Sequence, residues 1–398
     1  MISNIKLGDV LELIRNGIVS DQNDEDRGYP VTRIETISAG KINPQRVKFV
    51  ELSAHDFEKY RLKEGDILFS HINSVEHIGK VGIYEGEPGN LVHGMNLLLF
   101  RPQKDKINPR YLNYVLKTNP IRRHFQTRCK KAVNQASLNQ EDIKSVTIPV
   151  PSLKVQEKII NVLMKAESAL EKRRQTLRLA DEFLKSAFLE MFGEPARNQK
   201  KFKVVPCGEI ASHVSSGSTP LGGDKTYLKE GILFIRSQNV LMNRLDLSDV
   251  AYISSEVHQR MNRTWVKKND VLLNITGASI GRVSFFEGED DTANVNQHVC
   301  IIRPVKTKIL PQYLSFLISM PNYQKIILGK NAGATRQAFN FDQIKRFQIP
   351  LPAIPEQQKF AELVQKVEKL KEKQKQSETQ LQNLFNSLMQ GAFKGELK

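Results

Sequence analysis

The stretch "SVTIPVPSLKVQEK" occupies residues 145–158, and "RFQIPLPAIPEQQK" occupies residues 346–359. Each passes from a β-rich run through two prolines into a long polar segment with helical spacing. A proline at the end of a strand stops ladder pairing and turns the chain out. Both stretches therefore read as a junction between a closing strand and an opening helix. Ile148-Pro149-Val150-Pro151 matches Ile349-Pro350-Leu351-Pro352 at an offset of 201.

Outward from the junctions the match continues. Arg101-Pro102 meets Arg303-Pro304, and Tyr111-Leu112 meets Tyr313-Leu314. "LKEGDILFS" (62–70) pairs with "VKKNDVLLN" (266–274), which aligns Asp66 with Asp270. "IGKVGIYEGE" (78–87) pairs with "IGRVSFFEGE" (280–289), and Gly17 meets Gly217. The offset drifts only from 200 to 204, so the elements keep step while loops differ by a few residues. Two copies of one mixed α/β (α+β) fold is the economical explanation. Short β-rich runs punctuated by Gly, Pro and Asp alternate with a helix that has Pro in its first turn. The expected organisation is a first globular domain over 1–152, a long helix over 153–194, a second domain over 195–352 and a second long helix over 353–398.

The segments after the junctions have heptad spacing. Leu163, Leu170, Leu177, Leu184 and Met191 recur every seven residues, with Ile159, Ala166, Arg173, Ala180 and Ala187 as companions. In the second helix Phe360, Val367, Leu381 and Leu388 form one line, and Leu363, Leu370 and Leu384 the other. Helices over about 156–192 and 356–393 would each be roughly 55 Å long. Such thin amphipathic rods need a partner surface, and the two are expected to pack as an antiparallel coiled coil. Arg173 and Gln374 interrupt the seams at helix centre and at the same offset, which suggests a polar layer fixing register.

Composition narrows the function. The chain has 398 residues, 40% of them apolar, enough for real cores. Lys and Arg number 59 against 43 Asp and Glu, for a net charge of +16 spread through folded segments. Such a surplus favours a polyanionic partner, because neutralised phosphates release counterions. No apolar run is long enough to span a membrane, and the first residues lack a signal-peptide pattern. Cys129, Cys207 and Cys300 stand apart without a C-x-x-C pair, which fits a reducing cytoplasm and argues against a disulfide framework or zinc site.

Catalytic signatures are missing. There is no P-loop, no dinucleotide fingerprint, no H-E-x-x-H and no metal-ligand spacing among the eight histidines. "NPRY" (108–111) superficially matches the amine-holding motif of amino-methyltransferases. Its counterpart "LPQY" (310–313) lacks the polar first residue, so a helix N-terminus is the better reading.

Two basic recognition-type domains on two spacer helices, without an evident active centre, resemble the specificity subunit of type I restriction-modification enzymes. The resemblance covers essentially the whole chain. It is carried by "IPVPSLKVQEK" and "IPLPAIPEQQK", by "NITGASIGRVSFF" and "NVNQHVCIIRP" in the second domain, and by the helix ends "LKSAFLEMFGE" and "LFNSLMQGAFKGEL". The first domain departs most, with "SHINSVEHIGK" and "LVHGMNLLLFRP" at the corresponding places.

The resemblance implies a non-catalytic subunit that reads a bipartite site in double-stranded DNA, one domain per half-site. Two methyltransferase subunits carrying S-adenosylmethionine, and restriction/translocase subunits using ATP and Mg, would supply the chemistry; this chain would hold no cofactor. Arg suits guanine, and Asn or Gln suits adenine. The candidate DNA contacts in the first domain are Arg33, His71, Asn73, Lys130, Lys131 and Gln135. In the second they are Arg236, Gln238, Asn239, Thr276, Ser279, Gln297, His298, Thr335 and Arg336. Two other classes remain open at this level: a coiled-coil adaptor associated with DNA, and an enzyme with an unrecognised nuclease centre.

Overall fold

A computed structural model describes residues 2–37, 40–132, 135–220, 222–329 and 338–394. The chain divides into two compact units. The first comprises residues 1–173 and 377–398, the second residues 174–376.

The first unit is built on a four-stranded antiparallel sheet, in the order Leu11–Asn16, Leu98–Pro102, Ile67–Phe69, Val81–Ile83. Side chains alternate across a strand, and here both faces are buried. Ile67, Phe69, Leu98 and Phe100 enter one core with Tyr111 and Leu112. Leu68, Leu97 and Leu99 enter another with Ile37, Leu62, Tyr84 and Leu91. Continuous apolar runs such as "ILF" (67–69) follow from this double coverage. The helix Pro109–Lys117 supplies the aromatic side of the first core. Asn108 caps it by accepting from Arg110 N–H at 2.9 Å, so "NPRY" is a helix start.

The second unit repeats the plan. Its sheet runs Ala211–Ser216, Val299–Pro304, Val271–Asn274, Val283–Phe285, also antiparallel. Val271, Leu273, Cys300 and Ile302 face one core, and Leu272, Val299 and Ile301 the other. A further four-stranded sheet contains the parallel pair Ile232–Ile235 and Ala293–Val295. In each unit a glycine lets two loops touch: a Cβ on Gly17 would collide with Gly94 O, and one on Gly217 with Val295 O.

The junctions differ from expectation in one detail. Pro149 and Pro350 lie inside paired strands, opposite Asn4 and Val204, and do not end them. Each strand belongs to a two-stranded ribbon, so the missing N–H falls on an edge, where proline is tolerated. The chain turns out at the second proline, and the helices run Leu153–Phe192 and Ile354–Lys394. At 1.5 Å per residue, their 40 and 41 residues make each about 60 Å long.

A buried glutamine locks each junction. Gln156 Oε1 accepts from Asn108 N–H at 2.8 Å, and its Nε2 donates to Pro151 and Lys106 C=O. Gln357 does the same with Leu310 N–H, Pro352 C=O and Lys308 C=O. Both side chains are fully buried.

Each unit holds parts of both long helices. In the first, Ile159, Ile160 and Leu163 share a core with Ala392, against which Phe385, Leu388, Met389 and Phe393 pack. In the second, Phe188 and Phe192 meet Phe360 edge-on at 5.3 and 5.6 Å, and Asp181 pairs with Lys371 at 2.7 Å. Advancing along one helix there retreats along the other, so the pairing is antiparallel. Leu163, Leu170, Leu184 and Val367 are buried; Leu177, Leu381 and Leu388 are partly so.

Leu370 corrects the expected seam. It is 49% exposed, and Leu384 likewise faces solvent. The second line follows a four-three spacing from Phe360 through Val364, Lys371, Phe385 and Ala392, one residue beyond the leucines. Residue type was the wrong guide there, because a lysine holds the buried position. Burial pulls the Lys371 pKa down, but hydrogen bonds to Asp181 and Glu368 outweigh it and hold the ammonium charged. Arg173 belongs to the first unit and Gln374 to the second. Arg173 Nε and Gln374 Oε1 are each buried, with no hydrogen-bond partner among the described residues.

Candidate nucleic-acid interface

Three loops converge at one end of the sheets in the second unit. Asn274, at the end of the strand Val271–Asn274, donates through Nδ2 to Ser237 C=O at 2.8 Å. Ile275 N–H donates to His298 C=O at 2.9 Å, and Asn296 N–H to Ile235 C=O at 3.1 Å. Loops 236–239, 274–279 and 296–298 thus form one polar surface. Across it Thr276 Oγ1 lies 2.5 Å from His298 Nδ1, and Gln297 Nε2 lies 3.1 Å from His298 Nε2. Gln297 Oε1 also accepts from Thr219. Ser279 closes the short 3₁₀ turn beside Thr276.

Arg236 and Gln238 are both tied to Asp249. Arg236 Nη2 donates to the Asp249 carbonyl at 3.0 Å, with its guanidinium 5.5 Å from the Tyr227 ring centroid. Gln238 is exposed and donates to the Asp249 carboxylate at 3.0 Å. Asn239 is a correction. It is 2% exposed, accepts from Arg236 N–H, and donates to the carbonyls of Asp246 and Asp249. Its amide closes the turn, with both N–H groups committed and the side chain buried away from a base. Thr36 does the same job in the first unit, accepting from Arg33 N–H at 2.8 Å and donating to Arg46 C=O at 2.6 Å. Thr335 and Arg336 lie outside the described residues.

In the first unit Arg33 stands in a cavity of about 270 Å³ lined by Asp21, Gln22, Glu35, Met95 and Asn96 among others. Its Nε donates to Glu35 at 2.7 Å and its Nη1 to Gln22 at 2.9 Å. A guanidinium braced on two sides presents its remaining N–H groups in fixed directions. Asn73 Nδ2 reaches Ser70 Oγ at 3.2 Å, and its Oδ1 accepts from Ser74 N–H. Lys130, Lys131 and Gln135 are exposed on a hairpin, and Lys131 and Asn73 both register against Ala136.

His71 is the second correction. It is 8% exposed and occupies the position of Ile275, a core residue of the other unit. The backbone around both is the same: Leu138 N–H donates to His71 C=O, and Phe339 N–H to Ile275 C=O. Burial pushes the His71 pKa down to about 4, so the ring is neutral and turned inward, unsuited to a phosphate or base edge.

Comparison with known proteins shows the family of the chain that carries these loops. The model for the type I restriction modification DNA specificity domain matches twice, over residues 2–178 and 199–383. The chain belongs to that family. Among curated relatives, the putative type I restriction enzyme MjaX specificity subunit of Methanocaldococcus jannaschii is 31% identical over 407 residues, spanning 99% of this chain and 93% of the relative. The EcoBI specificity subunit of Escherichia coli is 27% identical over 327 residues, 74% of this chain and 67% of the relative. Among solved structures, the S subunit of the M. genitalium type I system aligns over 99% of this chain and 96% of its own, with a TM-score of 0.58 at 12% identity. The fold is therefore shared well beyond recognisable sequence.

In this specificity subunit, sequence reasoning missed the residues that hold the candidate side chains: Gln22 beside Arg33, Asp249 beside Arg236 and Gln238, and Thr219 beside Gln297. Their partners lie 11 to 78 residues away, where no local pattern exists. Among the described residues no group of His, Cys, Asp and Glu is placed to hold a metal, and no helix is long and apolar enough to cross a membrane. The three cysteines are buried and unbridged.

Proposed function

We propose that each unit of this specificity subunit reads one half of a bipartite site in double-stranded DNA, and that the two long helices set the unread gap between the halves. The observation that carries this is one scaffold with two different tips. The turn-closing bonds of Thr36 and Asn239, and the backbone bonds of His71 and Ile275, are the same in both units. The arginine before that turn is common to both, Arg33 and Arg236, but the side chains around it differ: Gln22 and Glu35 in one, Gln238 and Asp249 with Thr276 and Gln297 in the other. Identical tips would read identical half-sites; these imply two sequences.

The chemistry belongs to partners on this reading. Two methyltransferase subunits bring S-adenosylmethionine, and restriction/translocase subunits bring ATP and Mg, with the complex acting on cytoplasmic DNA. The test is single-molecule methylome sequencing of a host with and without this gene. Loss of one bipartite methyladenine motif on deletion is the expected result, and an unchanged methylome overturns the proposal.

A further inference from the structure

The first unit contains a basic cavity that the second unit has filled. It measures about 320 Å³ and is lined by Gly40, Lys41, Gly79, Lys80, Lys117, Arg122 and Glu167 among others. Four cations face one carboxylate. Glu167 Oε1 pairs with Lys41 at 3.2 Å, and its Oε2 accepts from Tyr114 OH at 2.7 Å. Lys117 lies 5.9 Å from the Tyr114 ring centroid. Burial, the largest influence, pulls its pKa down; Glu167 opposes this, Lys41 adds to it, and Glu85 opposes it more weakly. Arg122 donates through Nη2 to Glu76 C=O, while its Nε is buried without a partner among the described residues. One turn before Lys117, Asn113 is 5% exposed and its Oδ1 also lacks a partner.

The duplication supplies an internal comparison. Gly40 corresponds to Asn243, and both have left-handed backbones, with φ of 74° and 53°. Asn113 and Lys117 correspond to Ser315 and Ser319, and Arg122 to Gln324. In the second unit Asn243 Oδ1 accepts from Ser315 Oγ at 2.9 Å, and its Nδ2 donates to Ser319 Oγ at 2.8 Å. Gln324 Nε2 donates to the carbonyls of Gly281 and Ile318. The same place is thus closed by neutral, satisfied side chains. In the first unit the asparagine is replaced by glycine, the two inner positions become Lys117 and Arg122, and a space remains. A Cβ on Gly40 would stand 4.0 Å from Lys117 Cε, so the missing side chain is the one that would fill the cavity. Arg244 and Arg282 keep the outer charges of Lys41 and Lys80, which leaves the inner pair as the specific difference.

From this geometry we infer that the first unit, and not the second, carries a phosphate-binding pocket formed by Lys117, Arg122, Lys41 and Lys80 under Gly40. A phosphate group would compensate two inner cations that one carboxylate leaves in excess, and accept from the unpaired Arg122 N–H. It could come from the DNA backbone or from free phosphate; the pocket chemistry is the same. This inference stands on the first unit's own contacts and is independent of which bases are read.

The test uses the full chain, titrated with inorganic phosphate by calorimetry and followed by thermal unfolding. Two variants are compared with it: Gly40→Asn with Asn113→Ser and Lys117→Ser, which rebuilds the second unit's arrangement, and the single Lys117→Met. Binding of phosphate by the parent, weakened about tenfold or more in both variants at unchanged Tm without phosphate, is the expected result. DNA binding against salt then separates the sources. A log–log slope reduced by about one in the variants assigns the backbone, and an unchanged slope assigns free phosphate. Equal phosphate affinity in parent and Lys117→Met overturns the inference, as does no phosphate binding together with identical salt slopes.

Discussion

Asp270 is fully buried and receives both Nε and Nη2 of Arg303 at 2.8 Å, while also accepting from Lys267 N–H at 2.7 Å. Asp66 and Arg101 repeat the arrangement in the first unit, with Lys63 N–H as the third donor. The pair ties the turn entering one central strand to the end of its neighbour. Hydrogen bonding to Asp270 raises the Arg303 pKa against the opposing effect of burial, so the guanidinium stays charged.

Breaking such a pair from one side strands a buried charge. Asp270→Asn should therefore destabilise the second unit by about 3 kcal/mol. Urea unfolding followed by hydrogen exchange checks this: protection should fall in residues 271–274 and 299–304, with the first unit's sheet unaffected. Equal loss in both sheets would contradict two separately stabilised units.

Gln357 is the second point of leverage. Replacing it with Leu leaves Leu310 N–H and the carbonyls of Lys308 and Pro352 without their buried partner. Each lost partner costs on the order of 1 kcal/mol or more. Gln357→Leu should lower Tm by several degrees and fray the start of the helix Ile354–Lys394, while Gln358→Leu, at an exposed position, should not. Circular dichroism melts of the two variants separate the outcomes.

The duplication, the strand-helix order and the antiparallel helices were legible in the sequence because each leaves a periodic or repeated trace. The pairing of Asp270 with Arg303 was not, although both members aligned with their first-domain counterparts; alignment shows equivalence and carries no distances. Gln156 and Gln357 stood in the very stretches that reveal the fold, yet a glutamine in a helix's first turn looks the same whether solvated or buried. The loops were least legible. His71 and Asn239 were expected to face DNA because they are polar residues in turns. The repeat already held the correction: His71 aligns with Ile275, and Asn239 with Thr36, residues whose roles are internal.

Two buried histidines make the first unit sensitive to acid. Burial holds His71 at about 4 and His93 at about 3, with His93 Nε2 against Leu97 C=O and Arg15 nearby. Unfolded histidine titrates near 6.5, so below that pH the unfolded chain takes up protons that the folded chain refuses. Stability is complete above about pH 6.5 and falls as pH drops toward the folded values. At pH 5 each histidine should cost about 2 kcal/mol. His71→Ile, copying the second unit, should flatten this slope between pH 7 and 5, read as urea midpoints; an unchanged slope would show that His71 is not the titrating group.

Arg33 offers the sharpest test of reading. Its braced guanidinium can give a bidentate contact worth about 1–3 kcal/mol of discrimination at one base pair. Arg33→Ala in the intact system should make one position of one half-site degenerate in the methylome, with the other half-site and the gap length unchanged. Gln22→Ala should loosen the same position less, since it removes the brace and leaves the reader. Gln297→Ala should affect only the opposite half. Degeneracy in both halves from a single substitution would mean that the loops act through stability, and no change from Arg33→Ala would remove it from the base-reading surface.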